Sequence, residues 1–153
     1  MKKIKIYLDT SVIGGCFDEE FKQYSIQLID EIKNTIKLGI ISDITIRELQ
    51  YAPDIVQEHF REYSDLLQIL ETNDESRDLA NEYVKEKIVT ESSYDDAFHI
   101  AIATVNNIDI LCSWNFKHIV NYNRIVQYNA INLRMGYKAL AIYSPREVLE
   151  NGE

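Results

Sequence analysis

Apolar and polar positions alternate in short, regular blocks along the chain. Residues 4–8, Ile-Lys-Ile-Tyr-Leu, run apolar into Asp9, as a buried strand ending at a functional loop would. A helix is predicted from about Asp18 to Leu38, with Phe21, Ile26, Leu28, Ile29, Ile32 and Ile36 as its apolar face. Gly39 stops it, and Ile40-Ile41-Ser42 reads as a second short strand. Asp43 is expected to cap a short helix carrying Thr45, Arg47 and Glu48, which Pro53 ends. A helix over about 54–66 and a strand over Leu67–Leu70 follow. Asn73 or Asp74 caps the next helix, built on Leu79, Ala80, Tyr83 and Val84. Ser92 or Ser93 precedes Asp95, Asp96 and the apolar run AFHIAIATV, which reads as a buried helix with two acids in its first turn. The remaining blocks are a strand over 109–113, a helix from about Tyr122 to Met135 ended by Gly136, a strand over Ala139–Ile142, and a terminal helix opening at Ser144-Pro145. Strands and helices alternate throughout, so the expected class is α/β: a parallel sheet with helices on both faces.

The 153 residues suffice for one domain with its own core, and one domain over 1–153 is the expectation. Apolar runs of four or five residues fall far short of the roughly 20 needed to span a bilayer. The lysines of the N-terminus are followed by an apolar run that Asp9 interrupts, so a secretory leader is not expected. Cys16 and Cys112 stand too far apart for a metal or redox motif, and a reducing cytoplasm is the expected compartment.

The net charge of −9 speaks against indiscriminate binding to nucleic acid, but the charge is unevenly spread. Between Asp54 and Asp96 there are 13 acids against 4 bases, whereas from Ile110 to Arg146 there is no acid at all. That second segment carries Lys117, Arg124, Arg134, Lys138 and Arg146, together with Trp114, Tyr122, Tyr128 and Tyr137. A polyanion can be attracted to such a face despite the overall charge.

Ligands of open α/β sheets bind beyond the carboxyl ends of the strands, near a switch in strand order. The polar residues at those positions are Asp9-Thr10-Ser11, Ser42-Asp43 with Glu48 just beyond, and Ser113-Trp114-Asn115; Asp95 and Asp96 can reach the same edge from a helix start. Asp9 carries the most weight, because a carboxylate at the inner end of an apolar strand is costly unless compensated. A hard divalent cation is the natural compensation, Mg²⁺ or Mn²⁺ rather than zinc, since no Cys/His cluster competes. Singly, each acid has a plain structural account: a helix cap for Asp9, a solvated helix acid for Glu48, a helix-dipole partner for Asp96.

Four segments, YLDTSVIGG (7–15), ITIRELQ (44–50), YDDAFHIAIATVNNIDILCSWNFKHIVN (94–121) and SPREVL (144–149), resemble the PIN-domain family, most closely its small VapC-like members. The third is the most specific. The resemblance implies a three-layer α/β/α sandwich around a central, mainly parallel sheet, and a metal-dependent endoribonuclease that uses metal-activated water to cut RNA to a 5′-phosphate and a 3′-hydroxyl. It places the acids that hold Mg²⁺ (or Mn²⁺) on Asp9, Glu48 and Asp96, with Asp95 out of register. The fourth catalytic position falls on Asn115, where many relatives have Asp; an amide there brings no charge and leaves the number of metal ions open. Thr10, Ser11 and Ser113 are expected to hydrogen-bond the carboxylates or a substrate phosphate, and Lys117 and His118 to touch substrate phosphates. His99 is expected to be a satisfied, partly buried histidine, and Trp114 to pack beneath its loop. The partners implied are an RNA substrate, a cognate antitoxin protein and a second copy of the chain in a homodimer.

Two rivals share parts of this pattern. A PIN-like module that binds RNA or protein without cutting is compatible with Asn115 and the acidic balance. A haloacid-dehalogenase-type phosphatase also opens with strand, Asp and Thr, but needs an acid two residues after the nucleophile, where this chain has Ser11.

Overall fold

The computed structural model describes residues 2–151. Its strands are β1 (Lys5–Leu8), β2 (Leu38–Ser42), β3 (Gln68–Leu70), β4 (Ile110–Cys112) and β5 (Ala141–Tyr143). All four neighbouring pairs are parallel, and the order across the sheet is β3-β2-β1-β4-β5. The chain therefore starts in the middle, builds outward on one side, then crosses over to build the other. The switch lies between β1 and β4, where the carboxyl ends of the two strands open a crevice.

The helices are α1 (Thr10–Gly14), α2 (Lys22–Lys33), α3 (Asp43–Leu49), α4 (Asp54–Arg61), α5 (Asp74–Lys85), α6 (Tyr94–Val105), α7 (Tyr122–Arg134) and α8 (Pro145–Asn151). Successive side chains of a strand face opposite ways. Tyr7, Ile40 and Leu111 point to one face and pack with Leu79, Tyr83, Ala101 and Tyr128 from α5, α6 and α7. Ile6, Leu8, Ile41 and Cys112 point to the other and pack with Val12, Leu28, Ile29, Ile32, Val56 and Val148 from α1, α2, α4 and α8. Two apolar cores on one sheet make the three-layer α/β/α sandwich that the sequence predicts. Among the described residues no helix is long and apolar enough to cross a membrane.

The structure departs from the sequence reading at three helix ends. In place of one helix from Asp18 to Leu38, α1 starts directly after β1, a 3-10 turn follows over Gly15–Phe17, and α2 ends at Lys33. Thr35, at φ 57°, breaks the helix, and Leu38 already pairs with Lys5 in the sheet. Ile26 and Ile36 are accordingly exposed rather than on the apolar face, and Ser25 takes a buried place there. Ser42, not Asp43, caps α3: its hydroxyl accepts from the Ile44 amide at 3.2 Å, while Thr45 Oγ1 accepts from the Ser42 amide. Asp43 instead reaches over to accept from the amide and hydroxyl of Thr72, tying α3 to the end of β3. Ser93 stands at the start of α6 without a side-chain cap bond.

Candidate active site

The end of β1 fixes the first acid. The Asp9 amide donates to the Cys112 carbonyl at 3.2 Å, and the Ser113 amide to the Tyr143 carbonyl at 3.1 Å, so the ends of β1, β4 and β5 are tied side by side along one sheet edge. Asp9 is buried and caps α1. Its Oδ1 accepts from Ser11 Oγ at 2.6 Å and from the Val12 amide at 3.3 Å, and its Oδ2 from Ser113 Oγ at 2.5 Å. All of these donors are neutral. Burial pushes the Asp9 carboxyl above its ordinary value, and neither the His99 charge nor the hydroxyls offset it fully.

Glu48, on α3, is held from two sides. Thr10 Oγ1 donates to its Oε1 at 2.7 Å, and His99 Nε2 lies 2.6 Å from the same oxygen. Burial alone would raise Glu48, but the bonds from His99 and Thr10 bring its carboxyl below the usual range. His99 is itself buried in α6, and its Nδ1 lies 2.6 Å from the Tyr7 hydroxyl, which lies 2.7 Å from Ser42 Oγ. Burial pulls this imidazole down; Tyr7, Glu48 and Asp9 together outweigh it and hold it up at about 10. A polar chain thus runs from β2 through β1 and α6 to α3 inside the sandwich. The sequence reading of His99 as a satisfied interior histidine matches this geometry. Ser42 stands among the strand-end polar residues of the sequence reading, but Tyr7 is absent from it as a site residue; the one sign was a tyrosine, whose hydroxyl needs a partner, inside an otherwise apolar strand.

Asp96 opens α6, half-buried. Burial raises its carboxyl, His118 and His99 work against that, and the charges of Asp9 and Glu48 add to it. Asp96 therefore lies within electrostatic reach of both other acids. Asp95, one residue earlier and about 100° around the helix, turns outward to an exposed ion pair with Arg47 at 2.8 Å. Of the two acids at this helix start, Asp96 is the one that feels Asp9 and Glu48. The three carboxylates do not close into a ready-made cluster: among the described residues no group of three or more His, Cys, Asp or Glu is arranged to hold a metal ion. The carboxylates of Asp9 and Glu48 are taken up by hydroxyl and imidazole groups instead.

The loop after β4 completes the edge. Ser113 Oγ, besides donating to Asp9, accepts from the Asn115 amide at 2.9 Å, and Ser11 Oγ accepts from the Trp114 amide at 2.9 Å. Thr10, Ser11 and Ser113, expected at carboxylates or at substrate, are thus all on carboxylates. Asn115 Oδ1 accepts from the amides of Lys117 and His118 at 3.1 and 2.9 Å, so this side chain shapes the turn. Lys117 is exposed beside it, and His118 is half-buried within reach of Asp96. Trp114 packs below, stacked on Phe21 at 4.2 Å and donating to Ser25 Oγ at 2.8 Å.

A chain with these acids on this edge can be compared with known proteins. The family model described as PIN domain matches residues 6–117. The chain belongs to the PIN-domain family. No curated protein matches it in sequence. Its PIN fold is similar to VapBC-1 from nontypeable Haemophilus influenzae, with a TM-score of 0.60 at 15% identity over 94% of this chain and 99% of that one. It is also similar to a toxin-antitoxin complex from Klebsiella pneumoniae, with a TM-score of 0.57 at 16% identity over 74% and 88% of the two chains. VapC20 from Mycobacterium tuberculosis, described as a Sarcin-Ricin loop cleaving toxin, gives a TM-score of 0.57 at 13% identity over 74% and 92%. The matched PIN segment runs from β1 to the Asn115 turn and so contains Asp9, Glu48, Asp96 and Asn115.

Proposed function

We propose that this PIN-domain chain is a metal-dependent endoribonuclease, with Mg²⁺ or Mn²⁺ held by Asp9, Glu48 and Asp96 and with Asn115 as an uncharged fourth group. One observation carries the reading. Asp9 is buried at the switch of the sheet with only neutral hydrogen-bond donors, its carboxyl is raised by burial, and its charge and that of Glu48 both bear on Asp96. The donor chemistry fits a hard cation: the oxygens come from carboxylates, while Cys16 and Cys112 are packed in the apolar core. A divalent ion bound there would polarise a phosphodiester and activate water.

The chain's own residues supply the rest. Ser11 and Ser113 orient the two oxygens of Asp9, and Thr10 and His99 orient Glu48. Lys117, exposed at the rim, offers a charge to an incoming phosphate, and His118 faces Asp96 from the same loop. The likeness to toxin–antitoxin structures supports an antitoxin as partner; a cytoplasmic toxin acting as a homodimer completes the proposal.

The test is cleavage of a structured RNA in Mg²⁺ or Mn²⁺. Cutting should stop with chelator and in Asp9→Asn, while circular dichroism of the variant stays unchanged. Cutting that persists in either condition overturns the proposal. A second reading, an RNA-binding module that does not cut, draws on the carboxylates being committed to hydroxyls and imidazole rather than to a preformed cluster. Retained RNA binding with no cleavage under any divalent ion would decide for it.

A further inference from the structure

Glu48 on α3 and Asp96 on α6 reach the crevice from two helices, and the residues directly before them form an ion pair of their own. Arg47 Nη2 donates to Asp95 Oδ1 at 2.8 Å, linking α3 to α6 beside the acids. Both side chains stand at the surface, 54% and 44% exposed. One of the five guanidinium donors makes this bond. An exposed pair of this kind contributes little to stability and is broken at little cost. Arg47 is also the only lysine or arginine among the groups acting most strongly on Asp9, Glu48 and Asp96, and it acts through Glu48. Its helix follows β2, Lys117 follows β4, and Asp9 ends β1 between those two strands. The cations of this edge thus flank the acids on both sides.

We infer that Arg47 is a substrate-binding residue that exchanges Asp95 for a backbone phosphate of the RNA, and that Asp95 is the partner that holds the guanidinium until then. The inference rests on the nuclease reading and deepens it, by naming the cation that the substrate meets on the β2 side of the acids. Three ionised carboxylates outweigh one divalent ion, so an anionic diester still meets net negative charge at the crevice. A guanidinium beside Glu48 offsets it. The planar fork of an arginine matches two phosphate oxygens with two charge-assisted bonds, whereas Asp95 receives one. Asp95, left behind, is exposed enough to return to water, so the exchange strands no buried charge. Redirecting the guanidinium takes rotation about the arginine's own bonds. Helix α3 need not move, and Glu48 stays on Thr10 and His99.

The experiment follows binding of a short fluorescein-labelled stem-loop RNA to the full chain by anisotropy, in chelator, over a range of salt concentrations. Arg47→Ala should weaken binding about tenfold at low salt. It should also lower the slope of log Kd against log salt by about 0.7 to 0.9, the share of one phosphate contact. Arg47→Lys, which keeps the charge, should restore the slope. Asp95→Asn should act in the opposite direction and tighten binding a few-fold, and this gain should vanish once Arg47→Ala is added. All variants should melt near the parent's temperature, because the pair is exposed. A pair that serves only to join α3 to α6 predicts another pattern: both single substitutions lower the melting temperature alike and leave the salt slope unchanged. That pattern overturns the inference. So does a gain from Asp95→Asn that persists beside Arg47→Ala, since it reports the loss of a negative charge and nothing more. Cleavage in Mg²⁺ separates the two readings. RNA cut by the parent, with affinity and slope unmoved in Arg47→Ala, removes Arg47 from the site and leaves the nuclease standing. A parent that binds and never cuts, with the slope reduced in Arg47→Ala, upholds the phosphate contact and overturns the nuclease.

Discussion

His99 and Glu48, 51 residues apart on separate helices, meet in a 2.6 Å contact between Nε2 and Oε1. The imidazole is buried and its other nitrogen is bound to Tyr7, so the carboxylate of Glu48 is fixed from inside the sandwich, not from solvent. One helix thereby supplies an acid to the crevice, Asp96, and from its next turn the group that aims another.

Removing that group should be expensive. His99→Ala leaves a buried hydroxyl on Tyr7 and the Glu48 carboxylate each short of a partner, and opens a cavity. We expect a loss of about 3 kcal/mol, seen as a fall in melting temperature of roughly 6 to 12 °C for a chain of this size. A loss below about 1 kcal/mol in thermal denaturation followed by circular dichroism would show that the bond to Glu48 does not form.

Asp9→Asn should behave in the opposite way when no divalent ion is present. Unfolded, the Asp9 carboxyl titrates near 3.8; folded, it titrates higher because it is buried. The folded protein thus binds the proton more tightly, and this site costs nothing at pH well below 3.8. The cost develops as pH rises from there through the raised folded value, and it is fully present above that. In chelator, Asp9→Asn should melt at or above the parent's temperature at neutral pH, and its advantage should vanish in acid. A variant clearly less stable than the parent at neutral pH would mean that the bonds from Ser11 and Ser113 already compensate the charge.

The acids of this edge were legible in the sequence for a physical reason: Asp9 ends an apolar run, and that interruption is visible without a structure. The alternating strand and helix pattern brought Glu48 and the pair Asp95–Asp96 to the same edge, and the resemblance to PIN-domain proteins selected Glu48 and Asp96. Helix α1 was not legible. Thr-Ser-Val-Ile-Gly is short, β-branched and ends in glycine, a poor helix by propensity, and it forms because Asp9 caps it and Val12 and Ile13 are buried beneath. Tyr7 and His99, 92 residues apart, illustrate the same limit. Periodicity shows which face a residue takes, but not which distant polar atom its tip will meet.

Asn115 offers a direct probe of the charge at the fourth position. Its Oδ1 only accepts, from the amides of Lys117 and His118, and a carboxylate oxygen can accept the same two bonds. Asn115→Asp should therefore keep the turn and the melting temperature in chelator. It should bind Mn²⁺ several-fold more tightly by calorimetry, because it adds a negative charge to the edge proposed to hold a cation. Unchanged or weaker Mn²⁺ binding in a folded variant would place residue 115 outside the ion's surroundings.

Gly15 tests how firmly the site rests on the aromatic layer beneath it. A Cβ at this position would come within 2.6 Å of Ser25 Oγ and 2.9 Å of Trp114 Nε1, the two atoms that share the hydrogen bond under the β4 loop. Neither can retreat easily: Ser25 is buried and donates to the Val12 carbonyl, and Trp114 is stacked on Phe21. Gly15→Ala should destabilise the protein by about 2 kcal/mol through overpacking. Since Trp114 is the only tryptophan, its emission should shift to the red as the indole loses its partner. The Trp114 amide also donates to Ser11, which orients Asp9, so divalent-ion affinity should fall along with the spectral change. A variant with parental emission and stability would show that the layer yields freely and does not hold the acids in place.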